Sequence, residues 1–267
     1  MPLNRKECSN QMGARDRMEL DNVAFIGRTY EEYMDMFDLG ENERAFLDGP
    51  VLDCPAGPSS FAAEACAKGF NKVKACDMIY GLPADELEAT GNRDLALISG
   101  KLTETAHLFR WDYYGDFSRH MQYRAAALYR FIADYRADAD NRAEAGGGRY
   151  VHARLPRLPF SDGSFALVLS SHLLFLYGDR LTPGFHAESL REMARVSSGE
   201  VRVYPLLGLD ARPYPHMDEV LGLLRRDGII AEIRPTPFEF FKGATRMLAL
   251  RTGGLKGEVR RDLSHLF

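Results

Sequence analysis

Short aliphatic runs alternate with helical patterns from about residue 50 to residue 251, and the alternation fails once, at its end. "PVLDC" reads as a buried strand, "SSFAAEACAKG" as a helix stopped by Gly69, and "KVKACD" as a second strand. After a long, mostly helical stretch come "RYVHA", "FALVLSS", the helix "GFHAESLREMARV", "EVRVYPL" and the helix "MDEVLGLLRRDG". "IIAEIRP" and "TRMLALR" close the series with a link too short for a helix, so they pair as an antiparallel hairpin. Parallel neighbours need a crossover, usually a helix, so this order demands a mostly parallel sheet covered on both faces. The expected class is α/β: a Rossmann-like seven-stranded mostly parallel sheet with a terminal antiparallel hairpin and an N-terminal helical lid.

The lid is read from "RTYEEYMDMFDL". Thr29 and Glu32 have capping-box spacing, so a helix starts near Thr29 and stops around Gly40. Tyr30, Tyr33, Met34 and Phe37 form a helical stripe suited to packing on the main domain. Residues 1–22 are polar and expected to be loose. The chain thus divides into an extension with its lid helix over 1–48 and one Rossmann-like domain over 49–267, with a helical insertion around 83–140.

Charge excludes some partners. With 34 basic and 38 acidic residues the net charge is −4, which gives no bulk attraction to nucleic acid or to an anionic membrane. Cys8, Cys54, Cys66 and Cys76 show no metal-ligand spacing and read as free thiols, so no metal is expected and a reducing, cytoplasmic setting is. The polar start has no signal-peptide pattern, and no apolar run approaches a membrane span.

Chemistry gathers at the carboxyl ends of the strands. Asp53 ends the first strand, and Gly57 to Ser60 lead into the following helix, where open α/β sheets bind ligands. Asp77 ends the second strand, and an acid there can accept both hydroxyl hydrogens of a ribose. The pair points to a nucleoside-containing cofactor.

"LPRLPFSDGSFALVLSSHLLFLY" resembles the "LPF-D-SFD-V-SS" segment of class I S-adenosylmethionine-dependent methyltransferases, with "VLDCPAGPSS" in the place of their first motif and "KVKACD" in that of their second strand. The resemblance spans about residues 50–251 and includes the terminal hairpin. It implies S-adenosylmethionine as cofactor, held by Asp53, Pro55, Gly57, Ser59, Ser60, Asp77 and Ser171. The family's D-x-G-x-G-x-G is Asp53, Pro55, Gly57 and Ser59 here, so only the middle glycine remains. Proline has no N–H and a fixed φ, so the loop is rebuilt, with Ser59 and Ser60 free to contact ligand or cap the helix. The adenine-binding acid is replaced by Arg154, which leaves backbone groups near His152–Leu155, including Leu155, to meet the base. The "SFD" aspartate is Ala166.

His172 follows the fourth strand and is either a general base or a hydrogen-bonded structural residue. Tyr177 and Tyr204 either line the site or fill it. Tyr30 and Tyr33, with Trp111, Tyr113 and Tyr114 of "RWDYYGDF", offer aromatic faces to the sulfonium, and Arg28 offers its fork to the cofactor carboxylate.

Three functions fit. Methyl transfer to a small molecule is favoured over nucleic-acid methylation, since neither an "NPPY"-like element nor a basic aromatic surface is present. A looser similarity to azetidine-2-carboxylate synthases implies intramolecular cyclisation of S-adenosylmethionine with release of methylthioadenosine, and Tyr177 and Tyr204 would then serve the amine. The third is a non-catalytic partner subunit that uses the fold as an interaction surface. Oligomeric state is not legible.

Overall fold

The computed structural model describes residues 17–40, 45–143 and 147–252. A seven-stranded sheet forms the centre, in the order β3-β2-β1-β4-β5-β7-β6. In chain order the strands are β1 (Val51–Asp53), β2 (Val73–Asp77), β3 (Tyr150–His152), β4 (Phe165–Ser171), β5 (Ser197–Tyr204), β6 (Ile229–Pro235) and β7 (Arg246–Thr252). β1 to β5 pair in parallel, while β7 runs antiparallel to both β5 and β6. This is the α/β, Rossmann-like sheet with a terminal antiparallel hairpin that the alternation demands.

The helices are α1 (Tyr30–Met36), α2 (Ala45–Asp48), α3 (Phe61–Ala67), α4 (Ala84–Glu104), α5 (Phe117–Ala137), α6 (Ala139–Ala143), α7 (Pro183–Val196) and α8 (Met217–Arg226). Successive strand residues face opposite ways, so the sheet feeds two cores. Val51, Leu167 and Leu169 join Tyr33, Phe61, Phe131 and Tyr135 on one face. Leu52, Val168, Val203 and Leu248 join Leu190 and Met193 of α7 and Val220 and Leu224 of α8 on the other.

Local signals set the helix ends. Thr29 and Glu32 form the expected capping box on α1. Thr182 accepts from the Phe185 N–H before Pro183 at the start of α7, where the missing donor costs nothing. α1 stops at Met36, short of Gly40. The Thr236 hydroxyl reaches the Asp35 and Met36 carbonyls, at 2.9 Å each, and Arg202 donates to the Phe37 carbonyl. Orphan carbonyls at a helix end need such donors, and tertiary structure supplies them before the glycine is reached.

The insertion folds as an α4–α5 hairpin. A Cβ at Gly91 would lie 2.5 Å from Leu128 Cδ1, so at this crossing any larger residue makes the Leu128 side chain shift. The leading segment is not loose where it is described. Met18 and Leu20 are buried, and the Met18 N–H donates to the Leu209 carbonyl at 3.1 Å. Cys54, Cys66 and Cys76 are free thiols, while Cys8 lies outside the described residues. Among the described residues no helix is long and apolar enough to cross a membrane, and no group of three or more His, Cys, Asp or Glu could hold a metal ion.

Candidate functional site

A cavity of about 1020 Å³ opens where β1, β2, β4 and β5 end at their carboxyl edge. Register brings the ends together: Asp53 stands opposite Ala75 and Leu169, and Ser171 opposite Tyr204. The segment 18–28 lies across the top, and α4, α5 and the β6–β7 link form the far wall.

The loop after β1 is held from several sides. Asp77 accepts from the Gly57 N–H at 2.9 Å and from the Ile79 N–H at 3.2 Å. The Tyr80 hydroxyl donates to the Gly57 carbonyl at 2.6 Å. Gly57 has φ +53°, a region glycine enters without strain. A Cβ at Gly27 would lie 2.0 Å from the Pro58 carbonyl oxygen, so only glycine lets the leading segment rest on the loop. Burial raises the Asp77 pKa against the opposing pull of the Gly57 and Ile79 amides.

Pro55, Gly57 and Asp77 line the cavity, as do Arg154, Leu155 and Ser171. Arg28, His172, Tyr177 and Tyr204 line it too. Four expected cofactor residues do not. Tyr30 turns into the core, stacked on Phe61 at 5.6 Å between ring centroids, with the Lys68 ammonium 5.1 Å from its ring centre. Asp53 is buried beneath the loop and accepts from the Tyr33 hydroxyl at 3.0 Å. Burial holds its pKa well above the carboxylate range. Ser59 accepts from the Phe61 N–H, and Ser60 donates to Glu64. Both hydroxyls also reach the Arg28 carbonyl, so they tie helix α3 to the leading segment and do not face ligand.

The aromatic faces differ from those expected. Tyr33, Trp111, Tyr113 and Tyr114 pack behind the wall. Tyr113 donates to Asp35 at 2.8 Å, and Tyr114 donates to Glu32. Besides Tyr177 and Tyr204, the rings that reach the cavity include Phe25, Phe109, Phe238, Phe240 and Phe241. "FEFF", in the β6–β7 link, was the signal: aromatic residues in a short polar connection need a cover of their own.

Electrostatics are set by one carboxylate shared between two guanidiniums. Arg124 donates to Glu32 with both side chains fully buried, and Arg28 lies 3.8 Å from the same carboxylate. Burial lowers the Arg28 pKa to about 10, helped by Arg124. The Glu32 pKa is lowered: Arg124 and Arg28 outweigh the larger opposing effect of burial. Arg124 Nε has no hydrogen-bond partner among the described residues. Glu32 therefore leaves one of these two guanidinium charges unbalanced.

His172 has φ +54°, and its N–H donates to the Tyr204 carbonyl at 2.8 Å. Its Nδ1 lies 2.6 Å from the Ser171 hydroxyl. Burial, then Arg28 and Arg124, lower its pKa well below the usual value, so the ring is neutral at pH 7. The Tyr177 hydroxyl accepts from the Ala24 N–H at 3.0 Å, and that of Tyr204 donates to the Ala244 carbonyl at 2.8 Å. Burial raises both phenol pKa values, which keeps them protonated.

No protein-family model matches the chain. Among solved structures it is similar to the magnesium protoporphyrin IX methyltransferase ChlM of Synechocystis PCC 6803 with bound S-adenosylmethionine, at 10% identity and TM-score 0.41, over 94% of this chain and 85% of that one. It is also similar to a putative S-adenosylmethionine-dependent methyltransferase, mmp1179, of Methanococcus maripaludis, at 15% identity and TM-score 0.41, over 97% and 99%. A curated relative is much nearer in sequence: "Uncharacterized protein MJ0045" of Methanocaldococcus jannaschii is 32% identical over 235 residues, 88% of this chain and 98% of the relative. With its sheet of five parallel strands and antiparallel terminal pair, the chain has a Rossmann-like α/β fold, and it belongs to the family of that archaeal protein.

Proposed function

We propose that this protein is an S-adenosylmethionine-dependent transferase that methylates a small molecule in this cavity. One observation carries the reading. The cavity has a carboxylate, Asp77, beside the rebuilt loop and an excess guanidinium charge, shared by Arg28 and Arg124, along its wall. S-Adenosylmethionine needs such a pair: an acceptor for its ribose hydroxyls and a cation for its carboxylate. The residues fit the cofactor on this ground. Arg28 spends one terminal nitrogen on the Gly27 carbonyl at 3.1 Å and the Ile26 carbonyl at 3.5 Å, and its Nε lies 3.8 Å from Glu32, so its fork has donors to spare. The cofactor carboxylate would pair with the guanidinium charge that Glu32 leaves over.

In this reading Asp77 holds the ribose, Arg28 the carboxylate, and the backbone at Ala153, Arg154 and Leu155 the adenine. Pro55 and Gly57 shape the loop between them. Bound S-adenosylmethionine supplies an electrophilic methyl group, and the chain's task is alignment and exclusion of water. Neutral His172, steered by Ser171, accepts a hydrogen bond from the acceptor nucleophile. Tyr177 and Tyr204 remain protonated and serve as walls that also fasten Ala24 and Ala244. This leaves no phenolate to deprotonate an amine, so the geometry gives cyclisation no particular support.

Purified protein with S-adenosylmethionine and a panel of small acceptors, followed by mass spectrometry, tests the proposal. S-Adenosylhomocysteine, formed only when an acceptor is present, supports it. Methylthioadenosine with a four-carbon amino acid product establishes cyclisation instead. Failure to bind either cofactor form in calorimetry overturns both.

A further inference from the structure

The far end of the cavity, away from Asp77, is lined by Phe109, Phe238, Phe240 and Phe241, and one polar ring stands among them. His120 lines the cavity from α5, is only 2% exposed, and has no hydrogen-bond partner for either ring nitrogen among the described residues. Its ring stacks on Phe240 at 4.5 Å and meets the Tyr114 edge at 4.7 Å. One helical turn on, Arg124 also lines the cavity, lies over the same Tyr114 ring, and leaves its buried Nε–H unpartnered. Residues at i and i+4 share a helix face, so the unused groups belong to one place.

Resting on the proposed cofactor role, we infer that this end binds the acceptor, and that the acceptor is an uncharged planar aromatic molecule whose hydroxyl donates to His120 and accepts from Arg124 Nε. The flat rings select an aromatic body through stacking and edge contacts. A neutral imidazole offers a lone pair, and the guanidinium N–H needs an acceptor; a hydroxyl is the smallest group that satisfies both. Burial, with Arg124 and Arg28 adding to it, lowers the His120 pKa to about 2, so the ring accepts a hydrogen bond without becoming charged. The acceptor is uncharged because a charge would lose its hydration among these rings, and Arg124 beside them is already paired with Glu32. Buried polar groups left unpaired reject a ligand that cannot pair them, which is how such a site tells a hydroxyl from its absence.

Trp111, the chain's single tryptophan, sits 5.9 Å from His120 and 5.3 Å from Phe240, so its fluorescence reports on this end. The full chain is titrated with 4-propylphenol, propylbenzene and 4-propylbenzoate, with and without S-adenosylhomocysteine. The phenol binds about tenfold more tightly than propylbenzene, as one net hydrogen bond implies. In His120→Phe, which keeps the stack on Phe240, the hydroxyl preference disappears while affinity for S-adenosylhomocysteine is unchanged. Equal binding of phenol and hydrocarbon by the native protein, a preference for the benzoate, or a hydroxyl preference that survives in His120→Phe overturns the inference. If His120→Phe melts early, His120→Leu and the native selectivity decide. Failure of S-adenosylhomocysteine to bind sinks the cofactor reading alone, since the probes are also read without it.

Discussion

Arg124 of α5 donates to Glu32 of α1 where neither side chain is exposed, so the insertion and the leading helix are joined through a buried ion pair. Glu32 also answers Arg28 and accepts from Tyr114. Its replacement by glutamine leaves two buried guanidiniums without a counter-charge. A loss of about 3–5 kcal/mol is expected, because the remaining charges keep their desolvation cost. Chemical denaturation of Glu32→Gln against the native chain measures it; a change below about 1 kcal/mol would show that the pair is not buried as described.

The same carboxylate sets an acid limit. Its pKa is lower in the folded chain than in the unfolded one, so its contribution is complete above the usual glutamate range and fades as pH falls through the depressed value. Thermal melting from neutral to acid pH should show a decline in the native chain that is shallower in Glu32→Gln. Parallel curves would refute the assignment.

Cofactor contacts are separable by ligand. Arg28→Ala should weaken S-adenosylhomocysteine by roughly tenfold or more and leave methylthioadenosine, which lacks the carboxylate, nearly unchanged, since a hydrogen bond to a charged group contributes about 1.5–3 kcal/mol. Asp77→Asn should weaken both nucleosides together. Calorimetry with the two ligands separates the roles, and equal losses for Arg28→Ala would remove Arg28 from the carboxylate.

His172 and Tyr204 are neighbours with different expected failures. Tyr204→Phe loses the bond to the Ala244 carbonyl and should cost about 1 kcal/mol of stability while leaving turnover almost intact. His172→Asn should instead lower kcat by about 10²-fold or more at little change in KM for the cofactor, the size expected of a lost acid–base partner. A large kcat loss in Tyr204→Phe would reverse these assignments.

Much of this was legible in the sequence, for identifiable reasons. "KVKACD" and "FALVLSS" read as strands because a sheet covered on both faces needs unbroken apolar runs. Thr29 and Glu32 gave the start of α1 because capping is a contact within four residues. Its end escaped because Thr236 and Arg202, which terminate it, lie far away in sequence. Asp77, Gly57 and His172 were singled out by their places after strands, and all three line the cavity. Periodicity assigned Tyr30 and Tyr33 a common face but could not say whether that face meets ligand or Phe61. His120 escaped for a related reason: nothing local marks a histidine whose partners are all rings from other elements.

The caps on α1 also divide the cover of the cavity into a fixed hinge-plate and a strap. Thr236 and Arg202 bolt the end of the helix to the antiparallel half of the sheet, while Tyr33 ties it to Asp53 of β1 and Glu32 to Arg124 of α5. The segment before it is buttoned down one contact at a time: Met18 to Leu209, Ala24 to Tyr177, Phe25 to Asp94. Arg180 adds hydrogen bonds to the Leu20 and Asp21 carbonyls, and the apolar anchors Met18, Leu20 and Phe25 are buried. The strap is thus held by backbone contacts and apolar anchors, whereas the hinge-plate is held by buried charges as well.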